Sequence, residues 1–300
     1  MSISIQKVFT FSEHEAPVYG LESFGPHAFF SGGGDRIVSI RDTRENSIAK
    51  GIVNTGSTIY SLKFIPEKNI LLAGVSGGGM HVIDLDKKKE IHFLLNHEKG
   101  VYNIMYSSKH DKIITAGGDG KISIWSGKKF SFDNSLKLCN EKIRAIVYDK
   151  NQTLAAVGCG DGTIHFIRMD DLNEIHCMKA HPLSVNALYF HPFKNIIISG
   201  GKDAYLNFWD SNNFELLKSI PAHNYAIYSI DFSPSGKYFA TASRDKTIKI
   251  WDGESFNLLS RIDHEKNNGH IHSVNKVLWM NDALLSAGDD RKIIGWKISE

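Results

Sequence analysis

A histidine, a hydroxyl residue and an aspartate recur together along this 300-residue chain. A nucleophilic hydroxyl, an imidazole base and a carboxylate are the parts of a hydrolytic triad, so each copy contains the residue types for acyl transfer. The five copies are His14 with Ser31 and Asp35, His97 with Thr115 and Asp119, His181 with Ser199 and Asp203, His223 with Thr241 and Asp245, and His270 with Ser286 and Asp290. A catalytic set is needed once, whereas a structural contact is needed in every repeat. We therefore interpret these residues as structural and expect no catalytic residue.

The segments that carry these residues repeat about every 42 residues. Residues 241–252, TASRDKTIKIWD, have counterparts along the chain, and the last-but-one positions are Arg41, Ile83, Trp125, Ile167, Trp209, Trp251 and Trp296. An upstream series runs His14, Thr55, His97, Cys139, His181, His223 and His270. Each unit holds short alternating runs separated by turn residues, a pattern typical of a four-stranded blade.

The chain resembles the WD40-repeat family through the strand ends IWD (250–252) and FWD (208–210), the upstream histidines and the segment FSPSGKYFATAS that begins at Phe232. The resemblance covers nearly the whole chain, although only Gly269–His270 is a Gly-His pair. It implies an all-β fold, a seven-bladed β-propeller of four-stranded antiparallel blades, as a single domain over residues 1–300. The repeats are anchored near residues 14–42, 55–84, 97–126, 139–168, 181–210, 223–252 and 270–297. We expect residues 3–11 to form the outer strand of the last blade and close the ring, because the last copy leaves no room for a fourth strand.

The resemblance also implies that His, Ser/Thr, Asp and Trp of one copy form a hydrogen-bonded structural set. The complete sets are His97 with Thr115, Asp119 and Trp125; His181 with Ser199, Asp203 and Trp209; His223 with Thr241, Asp245 and Trp251; and His270 with Ser286, Asp290 and Trp296. The second copy has Thr55, Ala73, Gly77 and Ile83 at these positions, and the fourth has Cys139, Val157, Asp161 and Ile167. Losing a polar network as a whole can be nearly neutral, whereas keeping half of one is costly. We expect the second blade to be among the more mobile ones.

Composition and motifs indicate which ligands and which cellular location to expect. The formal net charge of +2 gives no strong preference for nucleic acid or acidic membranes. Three cysteines make no disulfide framework, and neither a secretory signal nor a run of 18 apolar residues is visible, so we expect a cytoplasmic protein outside the membrane. The glycines of residues 74–84 lie at a predicted turn rather than in a phosphate-binding loop. His270 and His272, with His264 nearby, could bind a metal, but His270 belongs to a structural set; we expect no metal and no cofactor.

In the WD40 family, partners dock mostly on the face that bears the inter-blade loops and the turns between the second and third strands. The candidate partner-binding residues on that face are Tyr19, Tyr60, Tyr102, Lys142, Arg144, Asn186, Lys202, Tyr228, Arg244, Asn275 and Asp289. They include four tyrosines, four basic residues on repeats 4 to 6 and a single acid. This combination suits a protein or peptide with acidic or phosphorylated residues. Scattered surface charge without a function accounts for the same pattern equally well.

The sequence therefore predicts a non-enzymatic scaffold for protein–protein interaction, acting as a subunit of a larger complex. RNA binding through tyrosine stacking and the basic residues is an alternative, which the near-neutral net charge weakens. A propeller hydrolase or lactonase with a metal in the channel is less favoured, because one acid among the rim positions is a poor supply of oxygen ligands.

Overall fold

The computed structural model describes residues 3–44, 50–281 and 283–299. Its first nine strands are β1 (Ser4–Phe11), β2 (Val18–Phe24), β3 (Ala28–Gly33), β4 (Ile37–Asp42), β5 (Lys50–Asn54), β6 (Ile59–Ile65), β7 (Ile70–Val75), β8 (Gly79–Asp84) and β9 (Lys89–Leu95). The next eight are β10 (Val101–Ser107), β11 (Lys112–Gly117), β12 (Lys121–Ser126), β13 (Phe132–Lys137), β14 (Ile143–Tyr148), β15 (Leu154–Cys159), β16 (Thr163–Arg168) and β17 (Glu174–Lys179). The remaining strands are β18 (Val185–Phe190), β19 (Ile196–Gly201), β20 (Tyr205–Asp210), β21 (Leu216–Pro221), β22 (Ile227–Phe232), β23 (Tyr238–Ser243), β24 (Ile248–Asp252), β25 (Leu258–Ile262), β26 (Val274–Met280), β27 (Ala283–Gly288) and β28 (Ile293–Ser299).

These strands form seven four-stranded antiparallel sheets, which confirms the predicted seven-bladed propeller. We number the blades 1 to 7 from β2 onward, and in each blade the first strand is innermost. The last blade has the order β26, β27, β28, β1, so the N-terminal strand is its outer strand. Ser4 pairs with Ser299 and Phe11 with Ile293, and the predicted closure of the ring is confirmed.

The hydrophobic core lies between the facing sheets of neighbouring blades. Phe30 and Val38 of blade 1 pack with Ile59, Leu71 and Ile83 of blade 2, and comparable clusters fill the other inter-blade spaces. Side chains of a strand alternate between its two faces, so each blade contributes to the cluster on either side. This arrangement makes the ring rigid and fixes the positions of the inner strands.

Polar sets connect the loop before each inner strand to the second and third strands. In blade 6, His223 Nε2 lies 2.7 Å from Thr241 Oγ1 and Nδ1 lies 2.9 Å from Asp245 Oδ2. The Trp251 indole N–H donates to Thr241 Oγ1 at 3.0 Å. One hydroxyl oxygen thus joins the indole of the third strand to the imidazole of the loop.

Blade 3 has the same set of contacts. His97 Nε2 lies 2.8 Å from Thr115 Oγ1, and Nδ1 lies 3.0 Å from Asp119 Oδ1. The Trp125 indole N–H donates to Thr115 Oγ1 at 3.1 Å. The side chain of Thr115 is therefore the centre of the set, as that of Thr241 is in blade 6.

Blades 5 and 7 use a serine at this central position. In blade 5, His181 Nε2 lies 2.8 Å from Ser199 Oγ and Nδ1 lies 2.9 Å from Asp203 Oδ2. In blade 7, His270 Nε2 lies 2.8 Å from Ser286 Oγ. The Trp209 indole N–H donates to Ser199 Oγ, and the Trp296 indole N–H donates to Ser286 Oγ. His270 Nδ1 contacts Asp290 Oδ1.

The hydroxyl groups of these sets are not accessible to a substrate. The side chains of Thr115, Ser199, Thr241 and Ser286 are fully buried. Contact with an imidazole alone would suit a nucleophile, but each of these hydroxyls is enclosed in the blade, where a substrate cannot reach its oxygen. The geometry is that of a structural link, although the residue types alone are those of a hydrolytic triad.

Blade 1 keeps His14, Ser31 and Asp35 in the same contacts but has Arg41 in place of the Trp. The Arg41 guanidinium lies 3.7 Å from the centroid of the Phe11 ring. Its Nη2 atom lies 2.6 Å from Oε1 of Glu13, which is in the loop before β2. Phe11 belongs to β1, so this buried arginine contacts the strand that closes the ring.

Two short helical turns interrupt the strands. A 3-10 turn covers Pro66–Lys68, and a four-residue helix, α1 (His264–Asn267), begins after Asp263 and ends at Asn268 in the left-handed region. This helix lies between β25 and β26 and was not predicted from the sequence. Within the described residues, no helix is long and apolar enough to cross a membrane.

Candidate functional site

A β-bulge aims one side chain of every inner strand at the mouth of the central channel. In each blade the pairing of the first and second strands skips one residue, for example Tyr19 between Val18 and Gly20. The seven skipped residues are Tyr19, Tyr60, Tyr102, Arg144, Asn186, Tyr228 and Asn275. Bulges redirect side chains in this way because the extra residue has no partner in the ladder. All seven line a cavity of about 390 Å³, which we call the channel mouth.

Three of these residues form a tyrosine ladder, Tyr19–Tyr60–Tyr102, across blades 1 to 3. The Tyr19 and Tyr60 rings meet edge to face with centroids 5.6 Å apart, and the Tyr60 and Tyr102 rings stack at 4.9 Å. A Cβ atom added to Gly100 would lie 2.8 Å from the Tyr60 ring, and one added to Gly118 would lie 2.9 Å from the Tyr102 ring. These glycines leave the space that the rings occupy.

The ladder ends on a basic cluster formed by Lys142, Arg144 and Lys202. The Arg144 guanidinium carbon lies 4.9 Å from the centroid of the Tyr102 ring. The positive charge of Arg144 lowers the pKa of Lys142, and partial burial and the charge of Lys202 add to this effect. The charge of Glu141 opposes this lowering only in part, so an anionic ligand gains energy by binding beside Lys142.

The opposite side of the channel mouth carries the acid. Asp289 Oδ1 accepts a hydrogen bond from Asn275 Nδ2 at 2.8 Å. Burial raises the pKa of Tyr19, and the negative charge of Asp289 raises it further. Blade 7 therefore brings Asp289 and Lys276 to the channel mouth, and blade 4 brings Arg144, whereas Lys142 and Lys202 line neither this cavity nor the second recess described below.

Two of the predicted partner-binding residues, Asn186 and Asn275, form hydrogen bonds between neighbouring blades. Asn186 Nδ2 donates to the carbonyl oxygen of Ile227 at 3.2 Å, and Asn275 Nδ2 donates to that of Val18 at 3.1 Å. Each amide joins its blade to the next one, and Asn186 is buried. These contacts give both residues a structural role and leave their amide groups less available to a partner.

The structure also divides the basic residues that the sequence grouped together. Arg244 does not line the channel mouth; it lies in a second recess between blades 6 and 7, with Tyr225, Lys246, His272 and Asp289. Tyr228 remains at the channel mouth with the tyrosine ladder, on the far side of the ring.

The residues of the polar sets lie away from both recesses. Thr115, Ser199 and Ser286 are enclosed between strands and line neither the channel mouth nor the second recess. Asp203 is only partly buried, because it lies in the turn between the second and third strands of blade 5, but it too lines neither recess. These predicted residues therefore hold the blades that present the site and do not belong to the site itself.

Sequence reasoning missed two exposed apolar residues on the same face. Leu183 is 47% exposed and Tyr225 is 60% exposed, and both lie in the loops that precede inner strands. Both stand two residues after a histidine of a polar set, which is the signal that could have found them. Leu183 adds apolar surface on blade 5, and Tyr225 adds it to the second recess, which Arg244 and Asp289 also line.

Comparison with known proteins gives a family model and several relatives. The model described as "WD domain, G-beta repeat" matches residues 88–126, 172–210 and 214–252. Each match begins in the outer strand of one blade or just before it and ends with the third strand of the next blade. The blades so covered are 3, 5 and 6, and each has a complete polar set.

The relatives are distant. WD repeat-containing protein 55 of Bos taurus is 24% identical over 181 residues, which is 54% of this chain and 46% of the relative. The Rattus norvegicus protein of the same description is 22% identical over 53% of this chain and 45% of its own length. Protein HIR1 of Gibberella zeae is 30% identical over 37% of this chain and 12% of its own length. The chain thus spans less than half the length of these relatives.

Proposed function

We infer that this chain, which belongs to the WD40-repeat family, acts as a non-enzymatic scaffold that docks a partner protein on the face around the channel mouth. The family consists in general of non-enzymatic scaffolds, and the names of the relatives describe no reaction. We further propose that the chain works within a larger complex and in a reducing, cytoplasmic compartment. The three free cysteines suit such a compartment.

The observation that carries the proposal is the junction of the tyrosine ladder with the basic cluster. Tyrosine and arginine are the residue types that anchor protein interfaces, since they combine a large contact area with directed polar groups. Here Arg144 belongs to both features, because its guanidinium stacks on Tyr102 and its charge acts on Lys142. A guanidinium placed over the Tyr102 ring by a cation–π contact can receive a carboxylate or phosphate in a bidentate pair.

We therefore propose that the partner presents an acidic or phosphorylated segment to blades 4 and 5. Exposed apolar residues of the partner would contact Leu183 and Tyr225 beside that segment. On the other side of the ring, Asp289 lies in the same cavity as Lys276, so blade 7 offers no net positive charge to such a segment and blades 4 and 5 are the favoured place for it.

RNA is less well suited to this site. A base would have to stack on an exposed aromatic face. The Tyr102 ring already stacks on Tyr60 and receives the Arg144 guanidinium, and Tyr60 also meets Tyr19. Base stacking there would have to displace existing contacts.

The test compares two charge reversals of equal size on opposite faces. Arg144→Glu changes the channel mouth, and Lys129→Glu changes an exposed turn between the third and fourth strands of blade 3. Both variants and the unmodified chain are used to capture partners from cell extract and to bind a panel of acidic, phosphorylated and neutral peptides. We expect Arg144→Glu to lose the partner and the acidic peptides, and Lys129→Glu to retain both.

Two results would contradict the proposal. Equal partner capture by Arg144→Glu would remove the channel mouth as the docking site. Steeply salt-dependent binding of single-stranded RNA, with no binding of peptides, would favour the nucleic-acid alternative.

A further inference from the structure

The outer strands of blade 4 bring together three side chains that metals bind. His165 is on β16, and Glu174 and Cys177 are on β17, with His165 and Cys177 directly opposite each other. One ligand atom from each residue lies within 4.8 Å of the others. His165 Nδ1 is 3.2 Å from Glu174 Oε2, and Cys177 Sγ is 3.8 Å from His165 Nε2. His165 is buried, whereas Glu174 and Cys177 reach the surface.

The hydrogen bonds of blade 4 determine which ring nitrogen of His165 carries a proton. Thr163 Oγ1 lies 2.6 Å from Asp161 Oδ1, and because a carboxylate only accepts, the Thr163 hydroxyl donates its one proton there. Thr163 Oγ1 is also 3.0 Å from His165 Nε2, so the hydroxyl oxygen must accept the Nε2 proton. In the neutral ring, the Nδ1 lone pair then points at the carboxylate of Glu174. Two acceptors that face each other repel, and either a metal ion or a second ring proton between them removes that repulsion.

Blade 2 provides an internal comparison at positions 84 residues earlier. It keeps the histidine and the glutamate, since His81 Nδ1 lies 3.0 Å from Glu90 Oε2. Phe93 stands where blade 4 has Cys177, with its ring 4.7 Å from that of His81. The two positions that hold the carboxylate and the hydroxyl in blade 4 are glycines here, Gly77 and Gly79. In blade 2, Nδ1 can therefore keep its proton and donate to Glu90, and no cation is required.

We propose that His165 Nδ1, Glu174 and Cys177 Sγ bind a Zn²⁺ ion on the outer face of blade 4. Imidazole, carboxylate and thiolate are all ligands of zinc, and their mixture suits this ion better than Mg²⁺ or Ca²⁺, which prefer oxygen. Zinc bonds of about 2.0–2.3 Å place neighbouring ligand atoms about 3–4 Å apart. His165 Nδ1 and Glu174 Oε2 have this spacing at 3.2 Å, whereas Cys177 Sγ lies 3.8 Å from Nε2 and has to turn toward Nδ1 to join the site. Thr163 and Asp161 orient the ring from behind, as partners of a ligating histidine commonly do.

Three protein ligands leave one zinc position open. Because Glu174 and Cys177 are exposed, that position faces the surface, where water or a side chain of another protein completes the tetrahedron. The site lies on the outer strands of the blade and is separate from the channel mouth, so it does not depend on the proposed function. Sequence spacing offered no indication of it, because its ligands meet across a bulged strand pair rather than in a Cys/His motif.

The test uses tag-free, reduced, chelator-treated protein. Zn²⁺ is titrated by calorimetry, and Co²⁺ is added as a spectroscopic probe whose thiolate charge-transfer band reports a bond to sulfur. Cys177→Phe and Thr163→Gly introduce the residues of blade 2 into blade 4, and Glu90→Gln changes blade 2 as the matched control. Melting curves without metal establish that each variant is folded.

We expect the unmodified chain to bind one ion per chain and to show the thiolate band. Cys177→Phe should lose the band and the rise in Tm that zinc produces. Thr163→Gly should weaken zinc binding by about 10–100-fold, as loss of an orienting partner does, and Glu90→Gln should leave it unchanged. Absence of zinc binding by the unmodified chain, or equal binding by Cys177→Phe, would overturn the proposal and assign the cation between His165 and Glu174 to a second ring proton.

Discussion

The guanidinium of Arg144 lies 4.9 Å from the centroid of the Tyr102 ring, although the two residues belong to different blades. Both are the skipped residues of their β-bulges, so the fold brings them together at the channel mouth. Tyr102 in turn stacks on Tyr60. Arg144, which we propose to contact the partner, is thus continuous with the packed rings of Tyr60 and Tyr102.

Tyr60→Ala and Arg144→Ala should therefore differ in stability while both weaken partner capture. Tyr60 makes two aromatic contacts, each worth about 0.5–1.5 kcal/mol, whereas the half-buried Arg144 makes one cation–π contact worth roughly 0.5–2 kcal/mol. We expect Tyr60→Ala to have the lower free energy of unfolding, measured by denaturant titration. Arg144→Lys serves as the control that keeps the charge and loses the flat stack. Equal stability of the two alanine variants would show that the ladder contributes little to packing.

The polar sets provide a second prediction. Thr241→Val keeps the shape of the side chain but leaves the Trp251 indole N–H without its acceptor and His223 without its hydroxyl partner. A buried polar group without a partner costs about 1–3 kcal/mol, so this variant should lose at least that much free energy of unfolding. Thr10→Val, an exposed position on β1, is the matched control and should be nearly neutral. A neutral Thr241→Val would mean that the set does not stabilise its blade.

The fold was predictable because its signals repeat. The His, Asp and Trp positions recur about every 42 residues, and this period identifies each blade. It does so even in blade 4, where Cys139 stands at the His position and Ile167 at the Trp position. The closing strand was predictable for a related reason, since a four-stranded blade needs a partner for β28. The expected mobility of blade 2 stays a prediction; all residues of β7 and β8 are buried there.

Features that occur once were not predictable. Arg41 occupies a Trp position, but its contact with Phe11 depends on where the closing strand lies in space. The inter-blade hydrogen bonds of Asn186 and Asn275 depend on the bulge that turns both amides toward the next blade. Likewise, His165 and Cys177 are 12 residues apart and meet only because β16 and β17 pair in a specific register.

Acid should weaken the structure at His191. Its Nδ1 accepts hydrogen bonds from the backbone N–H groups of Phe193 and Lys194, and its Nε2–H donates to the carbonyl oxygen of Gly253. The ring is therefore neutral in the fold; burial lowers its pKa, against the opposing effect of the Gly253 carbonyl. A histidine with a lowered folded pKa contributes stability above the unfolded value of about 6.5, and this contribution is lost as the pH falls below it.

We expect the Tm to fall between pH 7.5 and 5.5, and His191→Asn to reduce that fall. Asparagine retains an acceptor near the position of Nδ1 but does not take up a proton in this range. The burial of His97 and His223 lowers the pKa of each ring as well, so part of the pH dependence should remain in the variant. If the Tm of His191→Asn falls between pH 7.5 and 5.5 by as much as the Tm of the unmodified chain, this ring is not a source of the acid sensitivity.

Asp231 should have the opposite pH dependence. Its carboxylate accepts the backbone N–H of Trp279 at 2.7 Å, but burial outweighs this contact and raises its pKa to about 6. A carboxyl group with a raised folded pKa stabilises the fold below its unfolded value of about 3.9, and this contribution is lost as the pH rises through 6. At neutral pH the buried charge is therefore a cost, which acidification removes.

Asp231→Asn isolates this contribution, because it abolishes the titration and keeps an acceptor for the Trp279 amide. The variant lacks the buried charge at every pH, whereas the unmodified chain loses it only on acidification. Relative to the unmodified chain, the Tm of the variant should therefore be highest at pH 7.5 and should decline at pH 5.5. A difference in Tm that is the same at both pH values would show that Asp231 does not titrate in this range.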